Sequence, residues 1–71
     1  MKKKNIPYSK LKGLRVEKGL TAEKMAGLLG VSTATYRRKE NRTDGADFYI
    51  DEAKKVGIIL STEPKEIFLL H

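Results

Sequence analysis

The sequence predicts a compact all-α domain of five short helices, and three observations carry that expectation. Apolar residues recur at helical spacing, as Tyr8, Leu11 and Leu14 do in "YSKLKGLRVEKG" and Ala53, Val56, Gly57 and Leu60 do further on. Start and stop signals follow one another, with Gly19, Thr21, Gly30 and Ser32 dividing the first half into helical pieces. Seventy-one residues without cysteine suit one domain held by packing alone, burying roughly 60% of the surface its unfolded form exposes.

Each element has its own reason. Met1 to Pro7 reads as a flexible basic arm, after which residues 8–71 form the domain. Helix 1 starts beyond Pro7 and stops at Gly19. Thr21 suits an N-cap because its hydroxyl accepts an orphan backbone N–H, and Met25, Ala26, Leu28 and Leu29 then form an apolar stripe. Gly30 ends helix 2, since a left-handed residue at that point costs glycine little. Ser32 caps helix 3 over Thr33 to Asn41, and Val31 between the two is expected to be buried. "RTDGAD" is turn chemistry. Phe48 and Ile50 alternate with polar neighbours, which predicts a short extended stretch with both side chains inward. Asp51 is the expected cap of helix 4, whose stripe includes Gly57; a glycine there costs about 1 kcal/mol against alanine unless close packing needs it. "STEPKEIFLL" reads as a last short helix capped by Ser61 or Thr62, with Pro64 tolerated in the first turn. A hairpin pairing "GIIL" with "IFLL" is the alternative.

Composition excludes several classes. The longest apolar runs fall far short of the ~20 residues that span a bilayer, and "MKKKNIPYSK" has no following apolar region. A cytoplasmic protein with no membrane association is expected. The only histidine is His71, no paired carboxylates mark a cleft, and no glycine-rich phosphate loop follows a strand, so neither catalysis nor a metal or cofactor is expected. Charge is more telling: residues 1–42 hold twelve Lys or Arg against three acids, +9, while residues 43–71 hold three against six, −3. The basic half is a candidate anion-binding face, or else a solvated surface.

Within that half, "GLTAEKMAGLLGVSTATYRRKE" resembles the helix-turn-helix of the phage-repressor family, the Cro/CI-like or XRE-type DNA-binding domains. Two helices meeting through a tight turn need a small residue at their approach, glycine at the bend and apolar residues closing the corner, and Ala26, Gly30, Val31 and Tyr36 supply these in order. "LKGLRVEKGLT" is similar to the family's first helix, and "DFYIDEAKKVG" and "EPKEIF" to its later ones. The resemblance implies a five-helix, lambda-repressor-like DNA-binding domain with helices 2 and 3 as the helix-turn-helix. It also implies an ion pair between Arg15 and Glu40. Where the family often has glutamine at the first residue of helix 2, this chain has Ala22. Where it usually has an apolar residue, this chain has Lys39, whose stem is expected to pack while its ammonium reaches water or phosphate.

Double-stranded DNA is then the expected partner. With Tyr36 turned inward as a core residue, Thr33, Ala34, Arg37 and Arg38 share the outward side of helix 3 and are the candidate base readers. Arginine can donate two parallel bonds to guanine O6 and N7, threonine can bond or touch a thymine methyl, and alanine offers apolar contact. Arg38 is the first choice for a base, with Arg37 suited to base or phosphate. Ser32, Thr35, Lys39, Arg42 and the helix 2 N-terminus at Thr21 and Ala22 are expected to position the DNA backbone, Thr21 and Ser32 being caps first. Lys2, Lys3 and Lys4 are either a solvated arm or a further contact. The expected function is a transcriptional regulator, a repressor of phage or mobile-element type, acting as a homodimer joined by apolar surface of the last two helices, including Phe68 and Leu70. The alternatives are an antitoxin-like or regulatory module that binds a protein partner through its C-terminal surface, and non-specific DNA packaging. Exposure of Tyr49, Ile59, Phe68 and Leu70 discriminates the protein-binding reading.

Overall fold

A computed structural model describes residues 6–68, and the basic residues Lys2, Lys3 and Lys4, with Leu70 and His71, lie outside them. Among the described residues five α-helices follow one another: α1 (Ser9–Glu17), α2 (Ala22–Leu29), α3 (Thr33–Asn41), α4 (Ile50–Leu60) and α5 (Pro64–Ile67), with a 3₁₀ turn at Thr43–Gly45. Among the described residues there is no strand, and "IFLL" does not return as a hairpin on "GIIL". The α-carbon radius of gyration is 11.5 Å, close to the about 11 Å expected of a compact chain this long. No helix of the described residues is long and apolar enough to cross a membrane.

The capping signals in the first half act as the sequence predicts, although Leu28, expected in the apolar stripe of α2, is 51% exposed. The Thr21 hydroxyl accepts the Lys24 N–H at 3.0 Å, and the Ser32 hydroxyl accepts the Thr35 N–H at 3.1 Å. Each satisfies a donor that the first turn of a helix leaves free, worth typically about 1 kcal/mol. Gly30 closes α2 at φ +75, a conformation that favours glycine, and the chain re-enters a helix three residues later, at Thr33. Val31, at that bend, is only half-buried against the core.

Every helix contributes to one core. Leu11 of α1, Met25 of α2, Tyr36 of α3 and Val56 and Leu60 of α4 are all but fully buried, each worth about 1.5–3 kcal/mol of removed apolar surface. Four aromatic rings, Tyr36 among them, form a cluster in the same core. Phe48 lies 5.9 Å from Tyr36, 6.0 Å from Tyr8 and 5.4 Å from Phe68, and Tyr8 meets Phe68 edge-on at 4.9 Å. These separations fall in the favourable aromatic range.

The second half departs from expectation at its element ends. Phe48 packs inward, but Ile50 is 77% exposed, because the chain enters α4 at Ile50 and the two-residue alternation stops there. Tyr49, not Asp51, occupies the N-cap position, and its N–H is satisfied by Glu52 Oε1 reaching back at 2.9 Å; Asp51 lies in the first turn. Ser61 and Thr62 end α4 instead of capping α5. Ser61 takes the left-handed conformation at φ 54, and the Thr62 hydroxyl donates to the Leu60 carbonyl at 3.1 Å. Glu63 precedes α5 with no side-chain capping bond, and Pro64 takes the first helical position.

Gly57 is where the chain needs glycine for space. A Cβ there would stand 2.8 Å from the Thr62 carbonyl oxygen and 2.9 Å from Pro64 Cγ, so α5 could not fold back as closely. Phe68, at the end of that return, is 9% exposed and covered by Tyr8 and Phe48. Its burial in this chain's own core removes it from the expected dimer surface.

Candidate nucleic-acid interface

α3 has two unlike sides. The inner side carries Tyr36 and Glu40, both buried, and is fastened to α1 by an arginine. Arg15 Nε donates to Glu40 Oε2 at 2.9 Å and Nη2 to Oε1 at 3.2 Å, while Nη1 donates to the Leu20 carbonyl at 2.8 Å. The Tyr36 hydroxyl donates to the same Glu40 Oε2 at 2.7 Å. The ion pair implied by the family resemblance is therefore present, with a tyrosine as third member. Hydrogen bonding to Glu40 holds the Arg15 guanidinium charge above its ordinary range against the opposing effect of burial. Burial, reinforced by the bond to Glu40, pushes the Tyr36 phenol well up.

The outer side carries Ala34, Arg37 and Arg38, all exposed, with Thr33 half-buried at its start. Ala34, Arg37 and Arg38 thus face away from the core, whereas Thr33, three residues before Tyr36, lies toward the buried side. Ser32 and Thr35 lie at the same end and are engaged with one another, since Ser32 Oγ also donates to Thr35 Oγ1 at 3.0 Å. Thr21 is exposed beside its capping bond. Ala22 is 4% exposed, so its methyl belongs to the core, and the outward side chains of the first turn of α2 are Glu23 and Lys24.

Two expected phosphate contacts are already taken. Lys39 Nζ lies 2.7 and 3.0 Å from the Glu52 carboxylate oxygens and 4.4 Å from the centre of the Tyr49 ring, with only 12% of the lysine side chain exposed. Its stem packs as expected. Its ammonium is turned to Glu52 rather than outward, because α4 brings that carboxylate across it. Arg42, at the left-handed end of α3 with φ 57, turns back over the Tyr8 ring at 4.9 Å and sits 3.7 Å from Asp47 Oδ2. Asp47 is itself fixed, its Oδ1 accepting from the Tyr8 hydroxyl at 2.6 Å and from the Phe48 N–H at 2.8 Å. Burial, and then this bond, push the Tyr8 phenol up to about 12.

Arg38 has a looser partner, Asp44 Oδ2 at 4.0 Å from its Nη2, and both side chains are more than half exposed. Among the described residues Arg37 has no acid partner. Asp44 and Asp47 come from the segment directly after α3, and Glu52 from the first turn of α4. The sequence signal for this was the change of sign at residue 42, which reads as two separate halves when it marks one segment folding back onto another.

Tyr49 is 70% exposed, Ile59 is half-buried, and Ile50 and Ile58 are exposed on α4 at 77% and 78%. No protein-family model, curated protein or solved structure matches this chain.

Proposed function

We propose that the protein is a sequence-specific, double-stranded DNA-binding transcriptional regulator of the phage-repressor type, in which α2 and α3 act as a helix-turn-helix and α3 lies in the major groove. The observation that carries this reading is the division of α3: Tyr36 and Glu40 anchor one side, while Ala34, Arg37 and Arg38 stand exposed on the other. A helix held rigidly from behind, with two arginine forks in front, suits direct readout of base edges. One such helix spans few base pairs, so a second copy on a symmetric site, about 34–36 Å away, belongs to the same proposal. Arg38 is assigned to a guanine edge, Arg37 to base or phosphate, and the first turns of α2 and α3 to backbone positioning.

The test is enrichment of bound duplexes from a random-sequence pool, followed by affinity measured over a salt series. A recurring motif should emerge, and log K should fall with log salt by about 0.9 for each phosphate neutralised. Failure to enrich any sequence, or affinity flat in salt, overturns the reading.

The exposed Ile50, Ile58 and Tyr49 favour one further reading, a regulatory or antitoxin-like module whose partner is a protein. Enrichment of DNA by the purified chain alone separates the two.

A further inference from the structure

We propose that Asp44 is a specificity-determining residue of the DNA-binding face, which neutralises Arg38 toward phosphate while leaving its donors free for a base edge. The inference rests on the DNA reading above. Three carboxylates fold back onto the cations of α3, but they do so differently. Glu52 holds Lys39 in a nearly buried pair, and Asp47 holds Arg42 together with the Tyr8 ring. Those two cations are built into the fold. Asp44 and Arg38 meet at 4.0 Å with side chains 81% and 54% exposed, so their pairing serves no core.

The backbone takes an uncommon path to place that carboxylate. Arg42, Asp44 and Gly45 have φ values of 57, 53 and 81, three left-handed residues out of four, and Asp44 is left-handed within the 3₁₀ turn. Gly45 adopts that conformation without steric cost, and Asp44 is of a type whose short polar side chain lets it visit the same region.

The chemistry separates charge from hydrogen bonding. A guanidinium has five N–H donors, and one carboxylate near Nη2 occupies few of them. Paired with Asp44, Arg38 can still offer two donors to guanine O6 and N7, but it adds little net charge toward releasing counterions from a phosphate chain. Non-specific binding depends on that charge almost entirely, whereas specific binding depends also on the donors. The carboxylate therefore weakens binding to unrelated DNA more than binding to the preferred sequence.

The experiment compares wild type with Asp44→Asn on the enriched duplex and on unrelated duplex, across a salt series. Asparagine tolerates the left-handed conformation, so the turn should persist. Affinity for unrelated DNA should rise about two- to five-fold, the size of an exposed ion pair, and its salt slope should steepen by about 0.9. Affinity for the enriched sequence should rise less. In an Arg38→Ala background the substitution should change nothing. Glu63→Gln, which removes an exposed charge at the start of α5, should leave the ratio of the two affinities unmoved. An equal gain on both duplexes, a gain that survives loss of Arg38, or the same gain from Glu63→Gln overturns the proposal. If the wild type enriches no duplex, the DNA reading and this one fall together; if it does and the ratio stays unchanged in Asp44→Asn, this one falls alone.

Discussion

Arg15 on α1 and Glu40 on α3 meet through two hydrogen bonds, and the Glu40 oxygen that accepts the shorter of them also accepts the Tyr36 hydroxyl. The side chains are 9% and 6% exposed, so neither charge has water in reserve. Removing one partner of a buried pair leaves the other uncompensated, at about 3–5 kcal/mol. Small domains have only about 5–15 kcal/mol in total. Glu40→Gln should therefore lower the urea midpoint sharply. Tyr36→Phe, which leaves the pair intact but takes away one bond to the charged group, should cost about 1.5–3 kcal/mol. Melts of Glu40→Gln that overlay the parent's would sink this account.

Alkaline pH should loosen the fold through two tyrosines. Tyr8 and Tyr36 both have their phenols pushed up, Tyr8 to about 12, first by burial and then by bonds to Asp47 and Glu40. The folded state keeps a proton that tyrosines of the unfolded chain lose near pH 10. Their contribution is thus fully present below pH ~10 and is lost as pH rises through the folded values, by at most about 1.4 kcal/mol per pH unit for each tyrosine. Tyr8→Phe should flatten its share of that fall between pH ~10 and ~12. Urea midpoints for both proteins over this window provide the check, and identical slopes would count against it.

Two glycines on helices should respond oppositely to alanine. Gly57→Ala forces a Cβ against the Thr62 carbonyl and Pro64, and overpacking of about 1–3 kcal/mol should exceed the gain in helix propensity. Gly27→Ala meets nothing within 4 Å on the exposed side of α2 and should stabilise by up to about 1 kcal/mol. Thermal melts decide it, and a Gly57→Ala protein as stable as its parent would mean that α5 shifts freely.

Arg38 and Arg42 should separate readout from folding. Arg38→Ala should cost about 1–3 kcal/mol on the preferred duplex and relax preference at one base pair. Arg42→Ala removes a cation from the Tyr8 ring, worth about 0.5–1 kcal/mol, and should lower stability while leaving base preference unchanged. If Arg38→Ala weakens all sequences alike, the arginine meets phosphate and readout passes to Thr33, Ala34 and Arg37.

The parts of this fold that were legible in the sequence are those decided within a few residues. Thr21, Gly30 and Ser32 act on backbone groups in their own turns, so residue type and spacing suffice to place α2 and α3. Tyr8 and Asp47 stand 39 positions apart, and nothing local to either announces the bond between them. The same holds for Lys39 and Glu52, which changed a prospective phosphate contact into an internal pair. Ile50 was misread because an alternating trio fits a strand and a helix start equally well. The outward side of α3 was legible through Tyr36, whose burial fixes which residues face away. The pairing of Arg38, Lys39 and Arg42 with Asp44, Glu52 and Asp47 depends on how the following turn bends, which only the assembled backbone decides.

The edge-on contact of Tyr8 with Phe68 has a kinetic consequence. Its two rings are separated by sixty positions, so bringing them together closes a loop of nearly the whole described chain. Closure entropy grows with loop length, and contacts of such long range form late unless nearer ones have already shortened the path. The capped pair α2 and α3 needs only its own turn to assemble and is suited to nucleate folding. A nascent chain whose last helix is still inside the ribosome would therefore hold a formed α2–α3 unit while the edge of the Tyr8 ring that meets Phe68 stays open until Phe68 arrives.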